Sequence, residues 1–471
     1  MRINPSWATF VAHFAKLKMK HLLLTILIFT WHASARLDAQ VTQQFRPQQQ
    51  LAPDLSKFPP GSTTQVLPDG SVAVISPFTE EQKRQISNRE AKWKAIRKTR
   101  ISELAKQAKN NGLYPRLPGE FEKQKAILLS ACDWQPHLFH VLVDLIQKAQ
   151  GRAELVIVYN EQSRYDGDKP QLNELIKSML ESGKDFPHVR FLNLNLNTIW
   201  LRDFGPRIAE TENGGSVVMN FFHDSSRPFD DDFPELWANL TGASHNHVPW
   251  LLQGGNLISN GNGLAIATTG LFEKNRLSRA GKSYLEDEHY VRQQVMQFCN
   301  IKQLVMLKPL ENENTRHVDM FASFLDSDLA VVAKLDPRYD PQNARILDEN
   351  ARLLSQVKID GKPLRVERIW IPPRRGEFWS PYANIILSDK LVLVPVLDSD
   401  PPNYVRHAVE TYQKLLPNHH VATINMTAMH KLGGSLHCLT CPIPDFASLP
   451  NGLLSFEEAV AQTGLSGKYG R

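Results

Sequence analysis

From about Tyr114 onward the chain alternates short apolar runs with stretches of helical period. The runs at 126–130, 155–159, 216–222, 264–268, 329–333, 384–387 and 391–397 are rich in Val, Ile, Leu and Ala, and each predicts a strand. Between them, 138–148, 171–181, 284–298 and 403–416 carry the three-to-four spacing of amphipathic helices. Short strands mixed with helices over more than 300 residues, with no clear linker, predict one large α/β domain. Upstream, 79–111 is charged and free of Gly and Pro, and it runs into Asn110-Asn111-Gly112. That predicts a long helix with a glycine C-cap. Residues 64–76 alternate around Pro68-Asp69-Gly70, a hairpin signal, and 454–464 predict a short helix.

The N-terminus breaks this texture. Lys16, Lys18 and Lys20 precede an apolar run at 22–31, followed by Ala33-Ser34-Ala35. A basic start, a short apolar run and a small-x-small site predict a secretory signal peptide removed near Ala35, hence a secreted or periplasmic protein. The run is well short of the roughly 20 residues of a spanning helix. No other segment approaches that length, so no membrane association is expected after removal. Met19 offers an alternative start to Met1. The expected organisation is a signal peptide (1–35), a leader and helical N-terminal extension (36–113), the α/β domain (114–446) and a C-terminal tail (447–471).

Charge changes the picture only at the front. The formal net charge of +5 comes from 54 Lys and Arg against 49 Asp and Glu, but residues 1–35 hold four basic side chains and no acidic one. Without them the balance is 50 against 49, which leaves no net field to steer the chain to nucleic acid. Four cysteines are too few for a disulfide scaffold in an exported chain of this size, so stability must come from a core. No glycine-rich dinucleotide fingerprint follows a strand, and no phosphate-binding Gly-Lys-Ser/Thr loop occurs.

Four segments concentrate reactive side chains: Trp200-Leu201-Arg202-Asp203-Phe204-Gly205-Pro206, Gln253-Gly254-Gly255-Asn256, His317-Val318-Asp319, and Gly433-Gly434-Ser435-Leu436-His437-Cys438-Leu439-Thr440-Cys441. Cys438 is a nucleophile candidate behind a flexible Gly-Gly pair, although cysteine is also a common buried hydrophobe. A thiol near pKa 8.5 needs an imidazolium or a cationic substrate to ionise. His317 and Asp319, two apart, would share one face of a strand; taken alone they could equally be a surface hydrogen-bonded pair. Asp203 sits before a rigid Gly-Pro turn, but beside Arg202 it could be an ordinary surface ion pair. Together, a Cys–His pair between two carboxylates suits a guanidinium substrate, gripped at its nitrogens and attacked at its carbon. Competing readings are a Cys438–Cys441 redox pair, a zinc hydrolase using His317, Asp319, His437 and a cysteine, and an inactive binding protein.

These segments, with Leu117-Pro118-Gly119-Glu120-Phe121-Glu122 ahead of them, resemble in order the agmatine deiminase/bacterial peptidylarginine deiminase family. The resemblance spans about Tyr114 to Pro444. It implies an α/β propeller (pentein) of about five ββαβ-like units around a central site, with no metal or organic cofactor. It implies Cys438 as nucleophile, His317 as general acid/base, Asp203 and Asp319 as guanidinium clamps, Trp200 as a wall beside the substrate stem, and Asn384 as a positioning residue. The implied cycle passes through a cysteine thiouronium and releases ammonia. Two departures bear on substrate. Gln253 stands where agmatine deiminases usually carry Glu, and Arg227 opens an Arg-Pro-x-Asp-Asp stretch like that of the peptidylarginine branch, where it could bind a carboxylate. The segment 433–438 is closer to the agmatine form. Peptide or protein arginine is the expected substrate, with agmatine, as in putrescine biosynthesis, the alternative.

Overall fold

The computed structural model describes residues 61, 63–66, 72–75, 78–107, 116–132, 138–160, 171–275, 284–374 and 379–465. The expected signal peptide and the leader to residue 60 lie outside them. The chain divides into two units, 1–77 and 78–471. In the first, strands Thr63–Val66 and Val72–Ile75 pair antiparallel with Thr63 opposite Ile75, the hairpin expected around Pro68-Asp69-Gly70.

In the second unit one arrangement recurs five times among the described residues. A short strand pairs antiparallel with the next, and a helical crossover then leads to a third strand parallel to the second. Arg207–Glu210, Ser216–Phe222 and Ser244–Leu251 form one such sheet, crossed by helix Pro228–Thr241. Ile258–Ser259, Leu264–Thr268 and Gln303–Leu307 form the next, and Ala322–Asp326, Leu329–Lys334 and Arg365–Trp370 the third. Ile386–Ser388, Leu391–Val396 and His420–Asn425 make the fourth. The fifth joins the two ends of the unit: Thr440–Pro444 pairs antiparallel with Gln124–Ser130, which leads through helix Phe139–Ala149 to the parallel Leu155–Tyr159. Val189–Asn193 and Leu454–Ser455 extend this last sheet.

Apolar burial follows the strand period. All five residues of Leu155–Tyr159 are buried: Leu155, Ile157 and Tyr159 face helices Phe139–Ala149 and Gln171–Glu181, while Val156 and Val158 face Phe204, Phe233 and Trp237. A strand covered on both sides reads in sequence as a continuous apolar run, which is why it was visible there.

Two flanking helices pack onto this second unit. Helix Glu80–Gln107, expected in an extension reaching residue 113, belongs to the same compact unit as the five sheets. Arg89 bonds Asp231 at 3.0 Å and Asp232 at 2.5 and 2.8 Å, and Trp93 stacks on Phe222 with ring centroids 4.8 Å apart. The expected tail is likewise built in. Ser455 starts a capping box on helix Phe456–Thr463, and Phe456 packs edge-on against Phe186 at 5.2 Å.

Candidate active site

The site motifs occupy equivalent places in the five sheets. Each is the turn just ahead of a sheet's first, antiparallel strand: Leu201–Phe204 before Arg207–Glu210, Gly254–Asn256 before Ile258–Ser259, and Val318–Met320 before Ala322–Asp326. The turn holding Asn384 precedes Ile386–Ser388, and His437–Leu439 precedes Thr440–Pro444. In four of the five the turn is a single helical one.

Cys438, His317, Asp319 and Asn384 are all brought together and buried. Cys438 Sγ lies 4.0 Å from Asp319 Oδ2 and 3.8 Å from Asn384 Nδ2. Asn384 also accepts from the His437 backbone N–H at 2.8 Å, which fixes its amide beside the thiol. His317 Nε2 meets Gln253 Oε1 at 2.9 Å, and its Nδ1 is 3.6 Å from Asp203 Oδ1. With Gln253 Oε1 accepting, Nε2 carries the ring hydrogen and the Nδ1 lone pair is left to take a proton. Close approach is set by glycine at two points. A Cβ on Gly255 would stand 2.7 Å from His317 Nδ1 and 2.8 Å from Asp319 Oδ2, and one on Gly434 only 2.4 Å from the Trp200 ring. The Trp200 ring therefore lies against the backbone just ahead of Cys438.

Burial dominates the electrostatics. It drives the His317 pKa down to about 4, so the imidazole is neutral at neutral pH. Burial, with Asp319 and Asp203 adding like charge, pushes the Cys438 thiol well above its usual value. Burial also raises the Asp203 carboxyl, against the pull of His223 and Lys274. One oxygen of each carboxylate, Asp203 Oδ1 and Asp319 Oδ1, is buried without a hydrogen-bond partner. Each of these oxygens is an open acceptor, so two carboxylates beside one thiol favour a cation that carries N–H donors.

Gln253 and Trp200 thus join the site, but Arg227 does not touch it. Arg227 is half-exposed at the start of helix Pro228–Thr241, 3.6 Å from Asp224. It borders a separate open groove of about 920 Å³ with Gln85, Arg89, Asn197, Thr198 and Phe229. The Cys438–Cys441 redox reading fails on direction. Both thiols are free; Cys441 packs among the core residues around Trp237, 3.6 Å from the Pro206 carbonyl, on the side away from Asp319. The zinc reading fails on His437, because both its ring nitrogens already face carboxylates: Nδ1 to Asp319 Oδ2 at 2.8 Å and Nε2 to Glu120 Oε2 at 2.7 Å.

Glu120 and Arg202, which have no role in the sequence reading, complete the support. Arg202 Nη1 bonds Glu120 Oε1 at 2.5 Å, and both are largely buried. Lys274 bonds Gln253 Oε1 and places a cation next to the His317–Asp203 pair. Behind Glu120 and Arg202 lies a second cavity of about 280 Å³; Arg207 and Cys441 line it, but Cys438, His317 and Asp203 do not. It is not where the chemistry sits.

A buried thiol beside two carboxylates that each keep an open oxygen, on turns leading into repeated ββαβ sheets, fits an α/β enzyme of the deiminase class. The model of the Porphyromonas-type peptidyl-arginine deiminase family matches residues 116–444. The chain belongs to that family. The chain is similar to the solved agmatine deiminase of C. jejuni, with 20% identity and a TM-score of 0.57 over 72% of this chain and 97% of that one. It is similar also to that of Enterococcus faecalis, with 18% identity and a TM-score of 0.58 over 70% and 96%. A Latilactobacillus sakei protein provisionally named an agmatine deiminase is 22% identical over 372 residues, 70% of this chain and 96% of its own length. The likeness to the solved structures shows the fold.

Proposed function

We propose that the protein hydrolyses the guanidinium group of peptide- or protein-bound arginine to a ureido group, releasing ammonia. The observation that carries this is the pair of buried, unpartnered oxygens, Asp203 Oδ1 and Asp319 Oδ1, around Cys438. A guanidinium is planar and offers paired N–H donors that two carboxylates grip by charge-assisted bonds.

In this reading the substrate supplies the charge that ionises the nucleophile. Free, Cys438 is a thiol facing two carboxylates. A bound guanidinium neutralises those carboxylates, and His317 Nδ1 takes the thiol proton. The sulfur then bonds the guanidinium carbon. His317 returns the proton to the departing nitrogen, the C–N bond breaks, and ammonia leaves a thiouronium on Cys438. Water, deprotonated by His317, attacks the same carbon; the C–S bond breaks and the ureido product leaves. No redox change occurs. The five sheets are read as the blades of one propeller, with 114–446 as its catalytic region and the motif turns around its axis.

Peptidyl arginine is favoured over agmatine by two features. Gln253 is neutral and engaged by Lys274 and His317, so the site lacks the extra carboxylate that would hold agmatine's second cation. The open groove holding Arg227 is lined also by Asn197 and Thr198, three and two residues ahead of Trp200 in the sequence, and we read it as room for the chain that carries the arginine. The export features of residues 16–35 fit an extracellular peptide substrate. The test is a ureido assay, cross-checked by ammonia, on an internal arginyl peptide, a C-terminal arginyl peptide, free arginine and agmatine. Peptide turnover at least tenfold above agmatine in kcat/KM is expected; the reverse order would assign agmatine.

A further inference from the structure

We propose a divalent-metal site remote from the catalytic cysteine, formed by Glu235, His245 and His247, that takes a borderline-soft cation such as Zn2+. The three side chains offer two imidazole nitrogens and a carboxylate within 4.8 Å of one another. His245 Nε2 is 4.0 Å from Glu235 Oε1, and His247 Nε2 is 3.9 Å from Glu235 Oε2. The two imidazoles stand edge-to-face, centroids 5.2 Å apart and planes at 88°. At 3.9–4.0 Å neither nitrogen donates a proper hydrogen bond to the carboxylate. Zinc bonds of about 2.0–2.2 Å to N and O put ligand atoms on the order of 3.5 Å apart, so a small inward rotation of each side chain completes a three-ligand set.

The backbone explains why these residues meet. His245 and His247 are two apart in strand Ser244–Leu251, so both face one side of it. That side carries helix Pro228–Thr241, because His245 pairs with Val218, which packs with Phe233 and Trp237, while Val248 and Trp250 face the opposite cluster. Helix and strand are joined by only Gly242 and Ala243, with Gly242 at a φ of 69° that favours glycine. Glu235 stands about 9 Å back along the helix from Thr241, and His247 about 10 Å into the strand from Ser244. A tight reversal therefore sets them at the same height. Glu235, His245 and His247 are each about a quarter to a third exposed, so water can fill the remaining coordination positions. The bound ion would tie helix to edge strand.

The test uses tag-free full-length protein whose Cys438 has been alkylated, so that the active-site thiol cannot take the metal. Zn2+ titration by calorimetry should show one equivalent bound by the wild type and none by the His245→Ala/His247→Ala double variant. Glu235→Gln should bind at least tenfold more weakly. Co2+ at this site should give visible d–d bands without near-ultraviolet thiolate absorption. Turnover of the non-alkylated double variant should stay within twofold of wild type, which also shows that it folds. No binding by the wild type, equal stoichiometry in the double variant, or a thiolate band would each overturn the proposal.

Discussion

His437 Nδ1 meets Asp319 Oδ2 at 2.8 Å while its Nε2 meets Glu120 Oε2 at 2.7 Å. Two carboxylates can accept from both ring nitrogens only if both carry hydrogens, so this histidine is a cation. Burial and Arg202 oppose the charge, but Glu120 and Asp319 outweigh them, and its pKa rises above the usual value. The imidazolium anchors Asp319 Oδ2, the oxygen 4.0 Å from Cys438 Sγ, and leaves Oδ1 without a hydrogen-bond partner.

Disturbing this chain should therefore act through Asp319. His437→Asn keeps one donor and loses the charge; kcat/KM should fall between ten- and a thousandfold, about 1.4–4 kcal/mol in the barrier. In Glu120→Gln the prop for the His437 proton is weakened, so His437 deprotonates at lower pH. The high-pH loss of activity should move to lower pH than in wild type. A uniform fall with an unmoved pH profile would make Glu120 and His437 packing residues.

Asp203→Asn and Asp319→Asn should each lose at least a hundredfold in kcat/KM, measured by ureido formation. Each replaces a charge-assisted bond to a desolvated cation by a neutral one and loosens its orientation. Wild-type kinetics in either variant would remove that carboxylate from the site.

The free enzyme should alkylate slowly at neutral pH. Burial and the two carboxylates raise the Cys438 pKa well above the ordinary thiol value, so the reactive thiolate grows only as pH rises beyond that value. The rate of iodoacetamide inactivation should still be climbing at pH 9.5. A plateau below pH 8 would mean the thiol is ionised before substrate arrives.

Cys441 should be dispensable to turnover and to redox behaviour. Its sulfur touches Pro206 and the Gly205 backbone region, away from the Cys438 pocket. Cys441→Ser should keep turnover within about threefold, and after mild oxidant and dithiothreitol it should track the wild type. Selective protection of the variant from oxidant would restore the reading of Cys438 and Cys441 as a redox pair.

What could be read from the sequence follows burial. Strand Leu155–Tyr159, covered on both sides, appears as an unbroken apolar run. The third strand of four sheets is an edge, and Ser244–Leu251 and His420–Asn425 carry half-exposed polar residues that leave no such run. Helix Pro228–Thr241 opens Pro-Phe-Asp-Asp-Asp and contains Pro234, so it read as a substrate-binding stretch. Helix Pro341–Ser355 is not among the predicted elements, although Asp340 and Pro341 supply N-cap and first-turn signals.

The catalytic candidates were legible because their types and order are uncommon. Their support was not, since Glu120 and His437 are 317 positions apart and only the fold brings them together. The fivefold structural repeat was hidden for a related reason. Each copy places a different side chain on the same turn, which leaves no repeating letters.

The central claim is that Cys438 attacks the guanidinium carbon. It is tested most directly by the steady-state rate of ureido formation in Cys438→Ala, with calorimetric binding of an arginyl peptide measured alongside. Binding should survive, because Asp203 and Asp319 remain, while turnover should fall at least a thousandfold, about 4 kcal/mol in the barrier. Activity within tenfold of wild type would contradict the account.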